Sequence, residues 1–324
     1  MNFIEVCAGC GGLSTGLKNA GFTPLFISDI DKNCVETLKL NNDNANYIHC
    51  EDMKTTSLTQ YDDVHLLCGG VPCQSFSQAG ERKGLDDPRG QLIIEFNRLI
   101  NECNPQMFLI ENVKGLVHHN GGDTIKQVTE MLSNNHKYKV CFKVLNAWNY
   151  DVPQKRERVF IVGKRNDIEA DYSYPEHVET KPVLKDALRD VPDSPGVKYN
   201  KKKFDVMKLV PPGGCWVNLP EDVKEEYMGA ALHSGGGKRG MARRLSLDEP
   251  CLTLTTSPHQ KQTERCHPSE TRPFTIREYA RIQTFPDSFK FYGATGNQYK
   301  QIGNAVPVNL AYHIGKSISK TLNS

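Results

Sequence analysis

Phe3-Ile4-Glu5-Val6-Cys7-Ala8-Gly9-Cys10-Gly11-Gly12-Leu13-Ser14-Thr15-Gly16 is the stretch that decides the fold of this 324-residue chain. Its apolar start reads as a buried strand, its glycines as a tight turn, and residues 13–20 as a helix. The alternation continues along the chain. Residues 24–28, 47–49, 64–68 and 107–110 read as strands, and residues 31–40, 92–100 and 122–132 as helices. Two more strand-like runs follow at 140–145 and 159–162. Strands separated by helices predict an α/β fold, a doubly wound, Rossmann-like and mostly parallel sheet.

Beyond residue 164 the texture changes. Prolines recur at 175, 182, 192, 195, 211 and 212, glycines cluster at 213–214 and 235–237, and regular periodicity returns only at Ile276. That pattern predicts a second, smaller, loop-rich domain. Residues 298–322 are again helix-like and return to the first domain. The expected division is therefore 1–185 plus 298–324 for catalysis and cofactor, and 186–297 for the second domain and its hinge.

Eleven cysteines at irregular spacings, an odd number, predict a reducing, intracellular setting rather than a disulfide framework. No apolar run approaches the ~20 residues of a membrane span, which predicts a soluble protein. Net charge is only +2, but residues 1–150 carry 13 Lys+Arg against 17 Asp+Glu, and residues 151–324 carry 27 against 21. A polyanion is thus expected on the second half.

Glycines after a first strand let a backbone approach a ligand at a helix N-terminus. Gly9 and Gly11 fit the dinucleotide fingerprint, but Ser14 stands where its third glycine would be. Asp29, about 20 residues after the turn, can accept ribose hydroxyls, and Asp52 can face an adenine edge. The set suits an adenosine-bearing cofactor without a pyrophosphate. Cys7-x-x-Cys10 has no second pair at similar spacing, so no zinc or other metal is expected.

The chemistry gathers at other strand ends. The strand at 64–68 breaks at Gly69-Gly70 and delivers Cys73 after a proline, a thiol where an open parallel sheet binds its ligands. Glu111 follows the strand at 107–110. Gln154, Arg156 and Arg158 alternate ahead of another strand, which would place them on one face.

In this order Pro72-Cys73-Gln74, Glu111-Asn112-Val113, Gln154-x-Arg156-x-Arg158, residues 281–287 and Gly303-Asn304-x-Val306-Pro307 resemble the DNA (cytosine-5)-methyltransferase family of bacterial restriction–modification systems. With the glycine-rich motif at residues 8–12, the resemblance spans essentially the whole chain. It implies a class I S-adenosylmethionine-dependent enzyme that methylates C5 of cytosine at a short site in double-stranded DNA. It implies catalytic roles for Cys73, Gln74 and Glu111, and for Arg158 with Arg156 orienting it. The implied cofactor residues are Cys7, Ala8, Gly9, Gly11, Gly12, Asp29, Ile30, Asp52, Met53, Pro72, Leu92, Asn304 and Ala305. Cys7 stands where the family often has Phe, and Asp29-Ile30 where it often has an acidic–Trp pair.

The second domain becomes the target-recognition domain under this resemblance. DNA contacts are expected from Lys238, Arg239, Arg243, Arg244, Thr253 and Thr255, with Ser77 and Arg89 on a lid spanning 75–89; a second base-reading loop runs on to Arg265. Arginine is the side chain best suited to guanine O6 and N7. A monomer is expected, cytoplasmic and nucleoid-associated, paired in function but not in a stable complex with a restriction endonuclease. The RNA-methylating branch carries Cys-Phe-Thr where this chain has Cys141-Phe142-Lys143, and Ser14 disfavours an NAD-linked oxidoreductase.

Overall fold

The computed structural model describes residues 1–71, 91–233 and 240–324, which form two compact units. The first comprises Met1–Tyr150, Glu157–Glu179 and Ala305–Ser324, and the second Asp151–Arg156 and Thr180–Asn304.

The first unit carries the expected α/β sheet. In chain order it holds β1 (Asn2–Val6), α1 (Gly12–Asn19), β2 (Thr23–Asp29), α2 (Lys32–Leu40), β3 (Ile48–Cys50), β4 (Leu66–Gly69) and α3 (Gln91–Cys103). Then come β5 (Met107–Val113), α4 (Gly115–His118), α5 (Asp123–Leu132) and β6 (Tyr138–Asn146). The short strand β7 (Gln154–Lys155) belongs to the second unit, and β8 (Glu157–Arg165) returns to the first. The seven strands run β3-β2-β1-β4-β5-β8-β6. β1 to β5 are parallel, and β8 is antiparallel to both its neighbours. Strand order reverses between β1 and β4, the crevice where open α/β sheets bind ligands.

Alternation along β1 sends Ile4 and Val6 into a core shared with Leu67, Phe108 and Ile161, with Phe96 of α3 and with Val128 of α5. Phe3 and Glu5 take the opposite face. Gly163 sits across from Phe108, and a Cβ there would lie 2.1 Å from the Phe108 ring, so glycine makes room for the aromatic. No helix among the described residues is long and apolar enough to cross a membrane.

The second unit is built from short pieces. It holds α6 (Leu184–Ala187), α7 (Lys201–Lys208), α8 (Glu221–Met228), β9 (Cys251–Leu252), α9 (Ile276–Ile282) and α10 (Thr295–Asn304). β7 and β9 pair in parallel. Val206, Met207, Val210, Leu219, Ala242 and Cys266 form one of its buried apolar clusters. The eight-residue helices α7 and α8 escape the sequence pattern because α7 buries only Val206 and Met207, and α8 only Met228. Too few apolar positions remain to draw a stripe.

The helix-like stretch at 298–322 proves to be two elements. α10 ends at Asn304, and α11 (Val308–Leu322) starts after Pro307, whose ring cannot donate to a helix and disfavours helical backbone before it. The units part there, so residues 298–304 group with the second unit rather than with the first.

Candidate active site

Because β1, β2, β4 and β5 are parallel, their carboxyl ends lie along one edge of the sheet. The antiparallel β8 brings its amino end to the same edge, with Val113 opposite Arg158 and Glu111 opposite Phe160. Glu111 and Arg158 are thus diagonal neighbours on one face, and Arg158 Nε lies 3.0 Å from Glu111 Oε1. Both are largely buried. The Arg158 guanidinium also donates to the Glu157 carbonyl at 2.8 Å. A carboxyl beside a fixed fork of donors can hold the polar edge of a flat heterocycle.

The neighbouring strand end approaches closely. A Cβ on Gly69 would lie 2.5 Å from the Val6 carbonyl oxygen, so β1 and β4 can meet there only through glycine. Asn112, buried, donates from Nδ2 to the Val71 carbonyl at 2.9 Å. It thereby clamps the residue that leads into Pro72-Cys73-Gln74. Nothing in the residue pattern marked Asn112 as more than part of a motif. Pro72, Cys73, Gln74, Ser77, Arg89 and the lid at 75–89 lie outside the described residues.

The glycine turn is tied to the end of β2. Ala8 N donates to Ser28 O at 3.0 Å and Gly9 N to Asp29 Oδ2 at 2.7 Å. Asp31 N donates to the other Asp29 oxygen at 2.8 Å. Both oxygens of the Asp29 carboxylate are thereby fixed at the end of β2. Cys7 and Gly9 adopt left-handed backbone, φ +52° and +55°, and Gly11, φ +92°, caps α1 without a side-chain bond. The first N–H groups of α1 have no capping side chain there. Ile30, 67% exposed, leaves an apolar surface beside Asp29. Asp52 accepts from Lys54 N, Met53 is buried, and Leu92 packs against the core from α3. A Cβ on Gly12 would meet the Val306 carbonyl at 2.3 Å and Ala305 Cβ at 3.1 Å, so Ala305 packs directly on the turn.

Burial, then Asp29, Asp52 and Glu5, pushes the Cys7 thiol up to about 12, which places it amid the carboxylates of this turn. Burial also pushes Cys10 well up. Both therefore stay protonated thiols at neutral pH. Glu5 is fully buried below the turn. It hydrogen-bonds Ser14, its Oε2 has no partner, and burial pushes its carboxyl up to about 8. The strand pattern had offered no reason to single it out.

The expected single face of Gln154, Arg156 and Arg158 does not form, because the chain changes sheets between Lys155 and Glu157. Arg156 belongs to the second unit. Its guanidinium, almost fully buried, donates to Leu254 O at 3.2 Å and Asn304 O at 3.4 Å within the second unit. Arg244 is likewise buried and donates to Met207 O (2.8 Å), His267 O (3.4 Å) and Thr271 Oγ1 (2.8 Å). It is a packing element of its unit rather than a free reader of bases. Arg265 is held in the same way by Thr253 O and Glu264 O. Arg243 stays partly exposed, 3.9 Å from Glu249. Thr253 Oγ1 donates to Lys155 O and Thr255 Oγ1 to Ser257 O, both at the surface of a tightly tied segment. Lys238 and Arg239 lie outside the described residues.

Residues 1–320 match the C-5 cytosine-specific DNA methylase family. The chain is 52% identical over 329 residues to the Type II methyltransferase M.Sau96I of Staphylococcus aureus, across 99% of this chain and 76% of that protein. It is 48% identical over 330 residues to the Type II methyltransferase M.Eco47II of Escherichia coli, across 99% and 79%. Among solved structures it resembles one described as a DNA modification methyltransferase encoded within an E. coli prophage. That likeness has a TM-score of 0.75, 25% identity and complete coverage of both chains.

Proposed function

This chain belongs to the C-5 cytosine-specific DNA methylase family and is a DNA cytosine-5-methyltransferase, and we propose that it works through a covalent adduct of Cys73 with a flipped-out cytosine. The observation that carries this reading is the Glu111–Arg158 pair, 3.0 Å apart at the strand edge, beside the Asn112 clamp on the backbone that leads into Cys73.

Cytosine C5 is a poor nucleophile. Addition of the Cys73 thiolate to C6 makes an enamine whose C5 can take a methyl group. Glu111 holds the N3 and N4 edge during that addition, and Arg158 meets charge on the O2 side. The C5 proton then leaves to water, and β-elimination expels the thiolate and restores the aromatic ring. The target atom is out of reach in a stacked duplex, so the base must turn out of the helix.

S-adenosylmethionine, implied by the family, supplies an electrophilic methyl group when bound. The residues present fit it. Asp29 holds a carboxylate beside the turn for the ribose hydroxyls, Ile30 offers an apolar surface for the adenine, and the glycine turn leaves the start of α1 without a side-chain cap. Asp52, Met53, Leu92, Asn304 and Ala305 complete the proposed set. The second unit is proposed to read the DNA sequence. The enzyme is proposed to act as a monomer and to protect host DNA from a partner endonuclease.

Cys73→Ser is expected to abolish methyl transfer while keeping DNA binding. DNA containing 5-fluorocytosine should trap the wild type covalently, because fluorine cannot leave as a proton. An adduct mapped by peptide sequencing to any other cysteine would end this reading.

A further inference from the structure

The segment 258–265 of the second unit is a small loop whose ends meet. Arg265 N donates to Pro258 O at 3.0 Å, and inside the loop Thr263 N donates to Gln260 O at 3.1 Å. Its tip, His259-Gln260-Lys261-Gln262, is exposed and carries four side chains that can hydrogen-bond, none of them acidic. Behind the tip, Glu264 is fully buried. Its carboxylate meets Lys203 Nζ of α7 at 2.8 Å, and accepts from Tyr199 Oη at 2.8 Å and from Tyr227 Oη of α8 at 3.5 Å. Lys203 Nζ also donates to the His259 carbonyl at 2.5 Å, so one ammonium ties the buried carboxylate to the backbone of the tip. Lys261 Nζ stands 4.9 Å from the centre of the Tyr227 ring. Glu264 N donates to Gly240 O at 2.9 Å, and a Cβ on Gly240 would lie 2.2 Å from Gln262 O.

A surface connection needs no buried ion pair. Desolvating two charges offsets most of their attraction, so such a pair adds little stability. What it adds is direction, because charge-assisted hydrogen bonds fix where the His259 carbonyl stands. Compact loops with joined ends and a packed interior are frequently functional. A tip already held in one conformation gives up little freedom when it meets a partner. The one carboxylate of the loop is turned inward and paired, so the face left to a ligand is neutral to basic, which suits base edges flanked by phosphates.

We infer that the tip at 259–262 reads bases of the target site, and that Glu264 and Lys203 are positioning residues which set its sequence discrimination without touching DNA. The inference rests on the reading above that the second unit reads the DNA sequence. It deepens that reading by assigning the contact to the tip and the precision of the contact to the buried pair.

Methyl incorporation is measured with the full-length enzyme on a duplex carrying the site mapped by bisulfite sequencing, and on duplexes with one base pair of that site exchanged. The ratio of kcat/KM values gives the discrimination at each base pair. Gln260→Ala/Lys261→Ala/Gln262→Ala should lower it at least about fivefold at one or two base pairs, the lower end for loss of one base contact. Lys203→Met/Glu264→Gln replaces the ion pair by neutral side chains and takes the donor from the His259 carbonyl. It should relax discrimination at the same base pairs, while S-adenosylhomocysteine binds within about twofold of wild type. A merely structural role would lower stability or overall rate without choosing those base pairs.

Wild-type discrimination in the tip variant overturns the tip as a reader, and its positioning residues with it. A relaxed tip variant beside an unchanged Lys203→Met/Glu264→Gln overturns the positioning role, as does relaxation at other base pairs or equally at all. Should that double variant fail to melt cooperatively, Tyr199→Phe decides. It removes one hydrogen bond to Glu264 and should relax the same base pairs about two- to threefold, and unchanged discrimination overturns the proposal. A wild type that methylates no cytosine removes the reading of function, and the proposal with it.

Discussion

The arginines of the two units do opposite things. Arg158, in the first unit, points its guanidinium at Glu111 on the edge where a substrate can sit. Arg156, Arg244 and Arg265, in the second, are buried and donate to backbone carbonyls. The difference follows from the backbone. In a seven-stranded sheet the ladder satisfies the carbonyls, so a side chain at a strand end is free for chemistry. A unit whose described residues hold one two-residue strand pair and short helices has buried carbonyls without ladder partners, and each must find a donor. Arginine, with five donors in a rigid fork, supplies several at once. In a loop-rich domain, then, an arginine is as much a staple as a contact for a polyanion.

The comparison can be broken by swapping readouts. Arg158→Ala should lower kcat about 10²–10³-fold, roughly 2.7–4 kcal/mol, the effect of removing a donor aimed at developing charge. Its melting temperature should stay near wild type. Single-turnover methyl incorporation beside a thermal melt checks both, and a large fall in melting temperature with a small rate effect would move Arg158 among the staples. Arg244→Ala should do the reverse. Leaving the Met207 and His267 carbonyls and Thr271 without their donor should cost about 2–4 kcal/mol of stability in urea. Turnover per folded molecule should remain within about threefold, and a rate collapse in a stable variant would show that Arg244 meets the substrate.

Glu5 sharpens the contrast from inside the sheet, where a side chain serves neither the ladder nor the edge. The folded protein holds its proton until about pH 8, whereas the unfolded chain releases it near 4.5. The stabilisation is therefore complete below about pH 4.5 and is lost as pH rises toward 8. Glu5→Gln should flatten that decline and stabilise the protein by about 1–3 kcal/mol at pH 8, the scale of one unsatisfied buried polar group. Urea midpoints across pH 5–9 measure it, and parallel curves for the two proteins would remove Glu5 as the cause.

Much of this was legible in the residues. Apolar runs separated by helix-like stretches announce the parallel sheet, because strands buried on both faces must be apolar throughout. The motifs at its strand ends, Glu111-Asn112-Val113 and the glycine turn among them, mark where a ligand can sit because the topology puts all those ends on one edge. The loop-rich unit was much less legible. α7 and α8 bury too few apolar side chains to leave a periodic trace, and Pro307 divided a stretch that looked continuous.

By itself the sequence determined the fold class, the strand-edge location of the chemistry and the family, since each depends on local patterns and ordered motifs. Only the tertiary structure decided which charged groups are available. Gln154, Arg156 and Arg158 alternate in the chain, yet the backbone changes sheets between the second and third, so two become buried ties and one remains at the edge. Arg243 and Arg244 are adjacent, and one stays partly exposed while the other is closed into the core. A side chain's charge is written in the sequence. Whether it meets solvent, substrate or an orphan carbonyl depends on how distant segments pack, which no local pattern contains.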